Sequence, residues 1–222
     1  MYGDTPGGGA YAAFAATRAD ALARKPQKLS FIEAASVPVA GQTAWQALFD
    51  HGHLESGQTV LIHGAAGGVG TFAVQLAHWK GARVLATASA ANLEYLRSLG
   101  AVVAIDYKAT RFEAVAKDVD LVLDLIGGET QQRSFAVLKP GGYLVSVVQP
   151  PSQELAAKHR VHAVIMRMQP WTANLEQLAR LLDAGTIRTV VTKTYPLSQA
   201  REAWKDIMSG HTRGKIVLEV PE

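Results

Sequence analysis

From residue 59 onward, short unbroken apolar runs alternate with longer stretches in which apolar positions recur every three or four residues. The runs at 59–63 (TVLIH), 82–87 (ARVLAT), 102–106, 119–125 (VDLVLDL) and 143–148 predict strands. Between them, 68–80, 90–99, 112–117 and 129–138 predict helices, the second stopped by Gly100 and the last by Pro140-Gly141-Gly142. A strand with one wet face alternates apolar and polar residues. Several of these do not, so a sheet covered on both faces is expected. The fold class read from this pattern is α/β, a doubly wound parallel sheet.

The rhythm continues past a Pro-Pro-Ser turn at 150–152. A helix near 154–158 is followed by a strand at 161–168, a helix at 173–184, a strand at 188–194, a helix at 198–208 and a strand at 215–220. Upstream, Ser30-Phe31-Ile32-Glu33 has the spacing of a capping box. Pro38 opens a second helical stretch that ends at Gly52. The first nine residues are turn-rich, and 10–16, with Tyr11 and Phe14, reads as a short strand. No linker, repeat or low-complexity stretch interrupts the chain. Residues 30–222 are therefore expected to form one Rossmann-type domain with the C-terminal strands, and residues 1–29 to be the end of something whose beginning is absent.

Composition narrows the chemistry. The 222 residues are 48% hydrophobic and 18% charged, enough for a packed core. There is no cysteine, so disulfides, thiolate zinc sites, iron–sulfur clusters and a cysteine nucleophile are excluded for this sequence. The net charge of +3 is a weak bias that suits an anionic small molecule. The most basic stretch, 158–167, reads as solvated surface or an edge beside such a ligand rather than a nucleic-acid track. No apolar run reaches the ~18 residues of a membrane span, and the N-terminus lacks a signal-peptide pattern. A cytoplasmic protein with a small-molecule substrate, and with neither nucleic acid nor membrane as partner, is expected.

Residues 62–70 read Ile-His-Gly-Ala-Ala-Gly-Gly-Val-Gly, between an apolar strand and a helix. That is the context of the dinucleotide fingerprint G-x-G-x-x-G, whose three slots here hold Ala65, Gly67 and Gly70. Gly67 lets the backbone approach a pyrophosphate. Gly70 lets the helix pack close to the strand, and the helix N-terminus faces the phosphates. A P-loop is excluded, because no Lys-Ser or Lys-Thr follows the glycines. NAD sites usually carry an acid ~20 residues further on, at the end of the second strand. Here that strand ends Ala86-Thr87-Ala88-Ser89, and the first acid is Glu94, inside the next helix. Small hydroxyl residues leave room for a 2′-phosphate, so NADP(H) is the expected cofactor; an ordinary polar loop is the alternative reading.

With those residues placed, the chain resembles the medium-chain dehydrogenase/reductase superfamily, in its zinc-free quinone-oxidoreductase-like branch. PVAGQTAWQAL at 38–48, VLIHGAAGGVGTFAVQLA at 60–77, LKPGGYLVSVV at 138–148 and GHTRGKIVLEV at 210–220 carry the resemblance. It implies that residues 1–29 are a remnant of a GroES-like catalytic domain that is otherwise missing. It also implies a set of cofactor contacts. Thr43 falls near the nicotinamide, and Ala66, Gly67, Gly68 and Val69 form the pyrophosphate turn. Ser89 and Asn92 fall at the 2′-phosphate, and Tyr107 by the adenosine. Leu125, Ile126 and Gly127 form the turn beside the cofactor, Val147 and Val148 the turn at the nicotinamide. Arg213 and Lys215 belong to the basic C-terminal segment. Family members with NADP often carry Lys where this chain has Ser-Ala-Ala-Asn.

The activity implied is zinc-independent hydride transfer from NADPH to a quinone or an α,β-unsaturated carbonyl. The alternative is a non-catalytic NADP(H)-binding module. No catalytic side chain is singled out. The histidines show no metal-ligand spacing, His51 and His53 read as helix-end residues, and Asp124 reads as the anchor of its strand end. The apolar strand 161–168, beyond the fifth strand, is expected at the sheet rim, where pairing with a second copy makes a homodimer.

Overall fold

The computed structural model describes residues 1–210 and 212–220; His211, within the GHTRGK segment, and residues 221–222 lie outside them. Tyr2–Gly3 (β1) pairs antiparallel with Leu22–Ala23 (β2). The capping box is present: Ser30 Oγ accepts the Glu33 N–H at 3.2 Å and the Glu33 carboxylate accepts the Ser30 N–H at 2.8 Å. It starts α1, Phe31–Ala35. Pro38 opens α2, Pro38–Trp45, which continues as wider π-helical turns over Gln46–His51 and stops at Gly52.

The chain then lays down Thr59–Ile62 (β3), Gly68–Trp79 (α3), Arg83–Ala88 (β4), Leu93–Ser98 (α4), Val103–Asp106 (β5), Val119–Asp124 (β6), Gly128–Ser134 (α5), Leu138–Ser146 (β7), Gln153–His159 (α6) and His162–Ile165 (β8). It ends with Thr172–Asp183 (α7), Val191–Pro196 (β9), Ala200–Met208 (α8) and Lys215–Glu219 (β10). Strands β3 to β8 form one sheet in the order β5-β4-β3-β6-β7-β8, every pair parallel. That is the doubly wound order, in which the chain leaves β3 toward one side and returns to β6 on the other. Consecutive Val60, Leu61 and Ile62 are each 0% exposed, which requires cover on both faces. On one face Leu61, Leu85, Val122 and Leu144 pack against Phe112 and Phe135.

Contacts divide the chain into two compact units, residues 1–42 with 168–222, and residues 43–167. The six-stranded sheet lies wholly in the second. Strands β9 and β10 belong to the first, where they pair in parallel with each other.

Three expectations are corrected. Residues 10–16 form no strand, because no neighbouring strand offers them a partner; Phe14 is 94% exposed. Residues 112–117 shrink to a single 3-10 turn, Phe112–Ala114. The strand expected over 161–168 spans only His162–Ile165, because the regular pairing ends with β7 at Ser146.

One buried polar group ties three of these elements together. His63, just after β3, is 1% exposed. Its Nδ1 lies 3.1 Å from Thr87 Oγ1 on β4, and its Nε2 lies 3.0 Å from Ser134 Oγ on α5. Ser134 already donates its hydroxyl to the Thr130 carbonyl, so it accepts from His63. That fixes the proton on Nε2 and leaves Nδ1 to accept from Thr87. Burial holds the imidazole neutral, pushing its pKa down to about 4. Phe112 meets the ring edge-on, and Arg133 covers Phe112 while its guanidinium donates to both oxygens of Glu113. That pair pulls the Glu113 carboxyl down to about 2.

A group that is neutral when folded but takes a proton when unfolded loses stability as pH falls. His63 should leave stability flat above pH ~6.5 and remove about 3 kcal/mol between there and pH ~4. Glu113 joins only below its unfolded value of ~4.3. Urea denaturation at pH 7, 5.5 and 4.5 should show the first slope, and His63→Gln should abolish it. An unchanged slope in that variant would assign the acid sensitivity elsewhere.

Candidate functional site

All six strands of residues 43–167 point the same way, so their carboxyl ends share one edge. The turn after β3 begins at Gly64, with φ +66°. Gly67 precedes α3 with extended backbone and no side-chain cap. The twelve-residue helix therefore presents first-turn N–H groups, and the positive end of its dipole, without a capping oxygen. A Cβ at Gly67 would meet only the Gly64 carbonyl oxygen, at 3.4 Å, so this position borders open space. A Cβ at Gly70 would lie 2.5 Å from the Gly64 oxygen and 2.6 Å from Ala65 Cα. The two glycines thus do different jobs: Gly70 permits the close helix–strand approach, and Gly67 keeps the concave side of the turn clear.

The neighbouring strand ends close around this turn. Ala65 donates its N–H to the Thr87 carbonyl at the end of β4, at 3.2 Å. Past β4, Asn92 Nδ2 donates to Ser89 Oγ at 3.1 Å. Glu94, the first acid of that segment, forms an ion pair with Arg97 on its own helix. Past β5, Tyr107 donates its N–H to the Ala88 carbonyl and leaves its ring 57% exposed. On the other side of β3, the turn Leu125-Ile126-Gly127 follows β6, with Gly127 at φ +78°. Val147 and Val148 follow β7. Ile126 and Val148 are 57% and 50% exposed, although the strands beneath them are buried. An apolar, exposed rim above a polar glycine turn suits a ligand with both flat apolar rings and anionic groups.

The structure therefore brings together Ala66, Gly67, Gly68, Val69, Ser89, Asn92, Tyr107, Leu125, Ile126, Gly127, Val147 and Val148 on the carboxyl edge of one sheet. Thr43 is buried in α2. Arg213 and Lys215 lie in the other compact unit. Lys215 opens β10, and burial lowers its ammonium below the usual lysine range. Sequence reasoning did not single out His63, nor Gln131, Ser146 and Gln149, which surround Asp124 between β6 and β7. An acid closing an apolar strand before Gly-Gly was the only local signal for that group.

The model of the zinc-binding dehydrogenase family matches residues 99–218. A probable zinc-binding oxidoreductase, mitochondrial, of Arthroderma benhamiae is 36% identical over 216 residues, covering 90% of this chain and 65% of its own length. The chain thus spans just under two thirds of that relative. The quinone oxidoreductase of Coxiella burnetii superimposes with a TM-score of 0.88 at 38% identity, over 92% of this chain and 66% of that one. CurK enoyl reductase does so with a TM-score of 0.84 at 30% identity, over 92% and 67%. Zinc stands in the family's name, yet this chain has no cysteine. Among the described residues no three His, Asp or Glu side chains gather into a metal site. The described residues therefore supply no zinc ligand set. No helix among the described residues is long and apolar enough to cross a membrane. The shared sheet, the glycine turn and the extent of the matches establish that the chain belongs to the zinc-binding dehydrogenases of the medium-chain dehydrogenase/reductase superfamily.

Proposed function

We propose that residues 43–167 bind NADP(H) and serve a zinc-independent oxidoreductase that reduces a quinone or an α,β-unsaturated carbonyl. The observation that carries the reading is the uncapped start of α3 behind an open Gly67, on the edge where Tyr107, Ile126 and Val148 are exposed. Gly67, Gly68 and Val69 would take the pyrophosphate on backbone N–H groups. Ser89 and Asn92 would meet the 2′-phosphate, and the pairing of Glu94 with Arg97 keeps that carboxylate engaged. Tyr107 would cover the adenosine, and the turns after β6 and β7 the nicotinamide. Bound NADPH supplies a hydride, and the acceptor completes its two-electron reduction with a proton from water. The protein's part is orientation of the cofactor and the acceptor.

Titration of intrinsic tryptophan fluorescence with NADPH and NADH tests the cofactor. NADPH should bind at least about tenfold more tightly; equal or tighter NADH binding would overturn the preference. Turnover of a panel of quinones and enones by the full chain tests the reaction. Cofactor binding without any turnover would favour the non-catalytic module.

The glycines separate binding from folding. Gly67→Val adds a branch in open space, so its melting temperature should stay close to wild type while NADPH binding is lost. Gly70→Ala, which drives a Cβ into the Gly64 and Ala65 backbone, should destabilise by about 1–3 kcal/mol. Normal NADPH affinity in Gly67→Val would remove the turn from the site.

The same reading includes a homodimer through β8, which lies at the sheet edge with β7 as its one strand partner among the described residues, while Gln153 Nε2 donates to its Ala163 carbonyl at 3.1 Å. Met166 donates its N–H to Ser146 of β7 at 2.8 Å, so by alternation the N–H of Ile165 points outward. Light scattering should give twice the chain mass for wild type and a single-chain mass for Ile165→Pro, which deletes only an outward donor. A monomeric wild type, or a dimer indifferent to proline, would sink the interface.

A further inference from the structure

Strand β6 ends on a carboxylate that is 0% exposed, Asp124. Its Oδ1 accepts the N–H groups of Ile126 at 3.0 Å and Gly127 at 2.8 Å, which shapes the turn after β6. Its Oδ2 accepts from Gln131 Nε2 at 2.9 Å, on α5, and from Ser146 Oγ at 2.8 Å, at the end of β7. Ser146 Oγ in turn accepts the N–H groups of Val148 and Gln149 at 3.3 and 3.4 Å. Gln131 donates to the Gln149 carbonyl at 3.1 Å and accepts from the Gln149 side chain at 3.3 Å. The Asp124 carbonyl accepts the Val147 N–H at 3.2 Å. One side chain thus connects the turn 125–127, the first turns of α5 and the turn 147–149.

None of the four donors to this carboxylate carries a charge. Burying a carboxylate without a cationic partner is costly even when it is fully hydrogen-bonded. An apolar residue would end the strand more cheaply, but it could not accept from two turns at once. What the carboxylate adds is a fixed spacing between them. A Cβ at Gly127 would fall 2.9 Å from Gln149 Oε1 and 3.2 Å from Val148 Cγ2, so the two turns already touch. Both leave an apolar side chain outward, Ile126 and Val148.

We infer that Asp124 is a positioning residue for the half of the dinucleotide that lies over β6 and β7. The inference rests on the cofactor reading above. With the pyrophosphate at the start of α3 and the adenosine over β4 and β5, the nicotinamide half crosses the switch point to the turns that Asp124 holds. Asp124 touches no ligand; it acts through Ile126, Gly127 and Val148.

Asp124→Asn tests this. Asn Oδ1 still accepts from Ile126 and Gly127, while its amide group now faces the Gln131 amide and the Ser146 hydroxyl. The turn after β6 is kept, its side-chain tie to β7 is weakened, and the Asp124 carbonyl still accepts the Val147 N–H. Calorimetric titration should show NADPH binding weakened by about tenfold or more. Binding of 2′,5′-ADP, which carries only the adenosine half, should stay within twofold of wild type. A purely structural role would weaken both ligands together, and unchanged NADPH binding would remove Asp124 from positioning; either result overturns the inference. If the wild type prefers NADH, that cofactor and 5′-ADP replace the pair. A wild type that binds neither dinucleotide overturns the cofactor reading and this inference with it, a result visible before any variant is made. Should Asp124→Asn fail to fold, Ser146→Ala removes the same tie from the β7 side and should show the same split between the two ligands.

Discussion

The closeness with which α3 leaves β3 is the constraint on which the carboxyl edge depends. At Gly70 a single added carbon would fall 2.5 Å from the Gly64 carbonyl oxygen, nearer than any side-chain atom can lie. Only with that contact can the helix start directly behind the strand. Its uncapped first turn then faces out over the sheet instead of being buried against it. Gly67, three residues earlier, borders open space. The same short segment thus couples a packing requirement to a binding surface. A longer connection would have freed the packing but moved the helix dipole away from the edge.

The buried polar groups at the strand ends follow from the same geometry. Parallel strands that stop together under a set of turns leave N–H and carbonyl groups that water cannot reach. Asp124 is the side chain that answers this after β6, while His63 ties together the hydroxyls of Thr87 and Ser134. His63 stays neutral because it is buried, with its two nitrogens matched to the Thr87 and Ser134 hydroxyls. Asp124 accepts at four positions and donates at none. Each lies one step from a turn of the proposed site, so each trades some stability for order at a place where order is useful.

The elements that depend on local pattern were legible in the sequence. Unbroken apolar runs gave the six strands, Ser30 and Glu33 gave the start of α1, and Gly67 and Gly70 gave the turn. What was not legible depends on partners distant along the chain. Residues 10–16 have a strand-like composition but nothing to pair with. Strands β9 and β10 continue the alternation of helix and strand, yet they pair with each other because nothing in their pattern specifies a place in the larger sheet. His63 looked like the end of a strand and no more, since Thr87 and Ser134 lie 24 and 71 residues away. Asp124 could be read as a strand-end anchor; the four residues that make it a bracket between two turns could not.

The backbone shows where along the edge a ligand has room. The β3 turn bonds to β4 through Ala65 and Thr87, and the chain after β5 bonds to β4 through Tyr107 and Ala88. The chain after β7 bonds to β6 through Val147 and Asp124. Each half of the edge is thus laced by hydrogen bonds. Between the halves, His63 donates its N–H to the Leu123 carbonyl of β6 at 3.0 Å; past that bond the turns after β3 and β6 meet in van der Waals contact, where a Cβ on Gly64 would lie 3.1 Å from Ile126 Cδ1 and 3.4 Å from Leu125 Cβ. That seam coincides with the point where the chain reverses its direction of winding. A dinucleotide laid across it would have a laced, ordered platform under each nucleoside and the start of α3 under its phosphates. The sheet order creates the seam, Gly64 narrows it, His63 holds its two sides together, and Asp124 fixes the turns on the β6–β7 side.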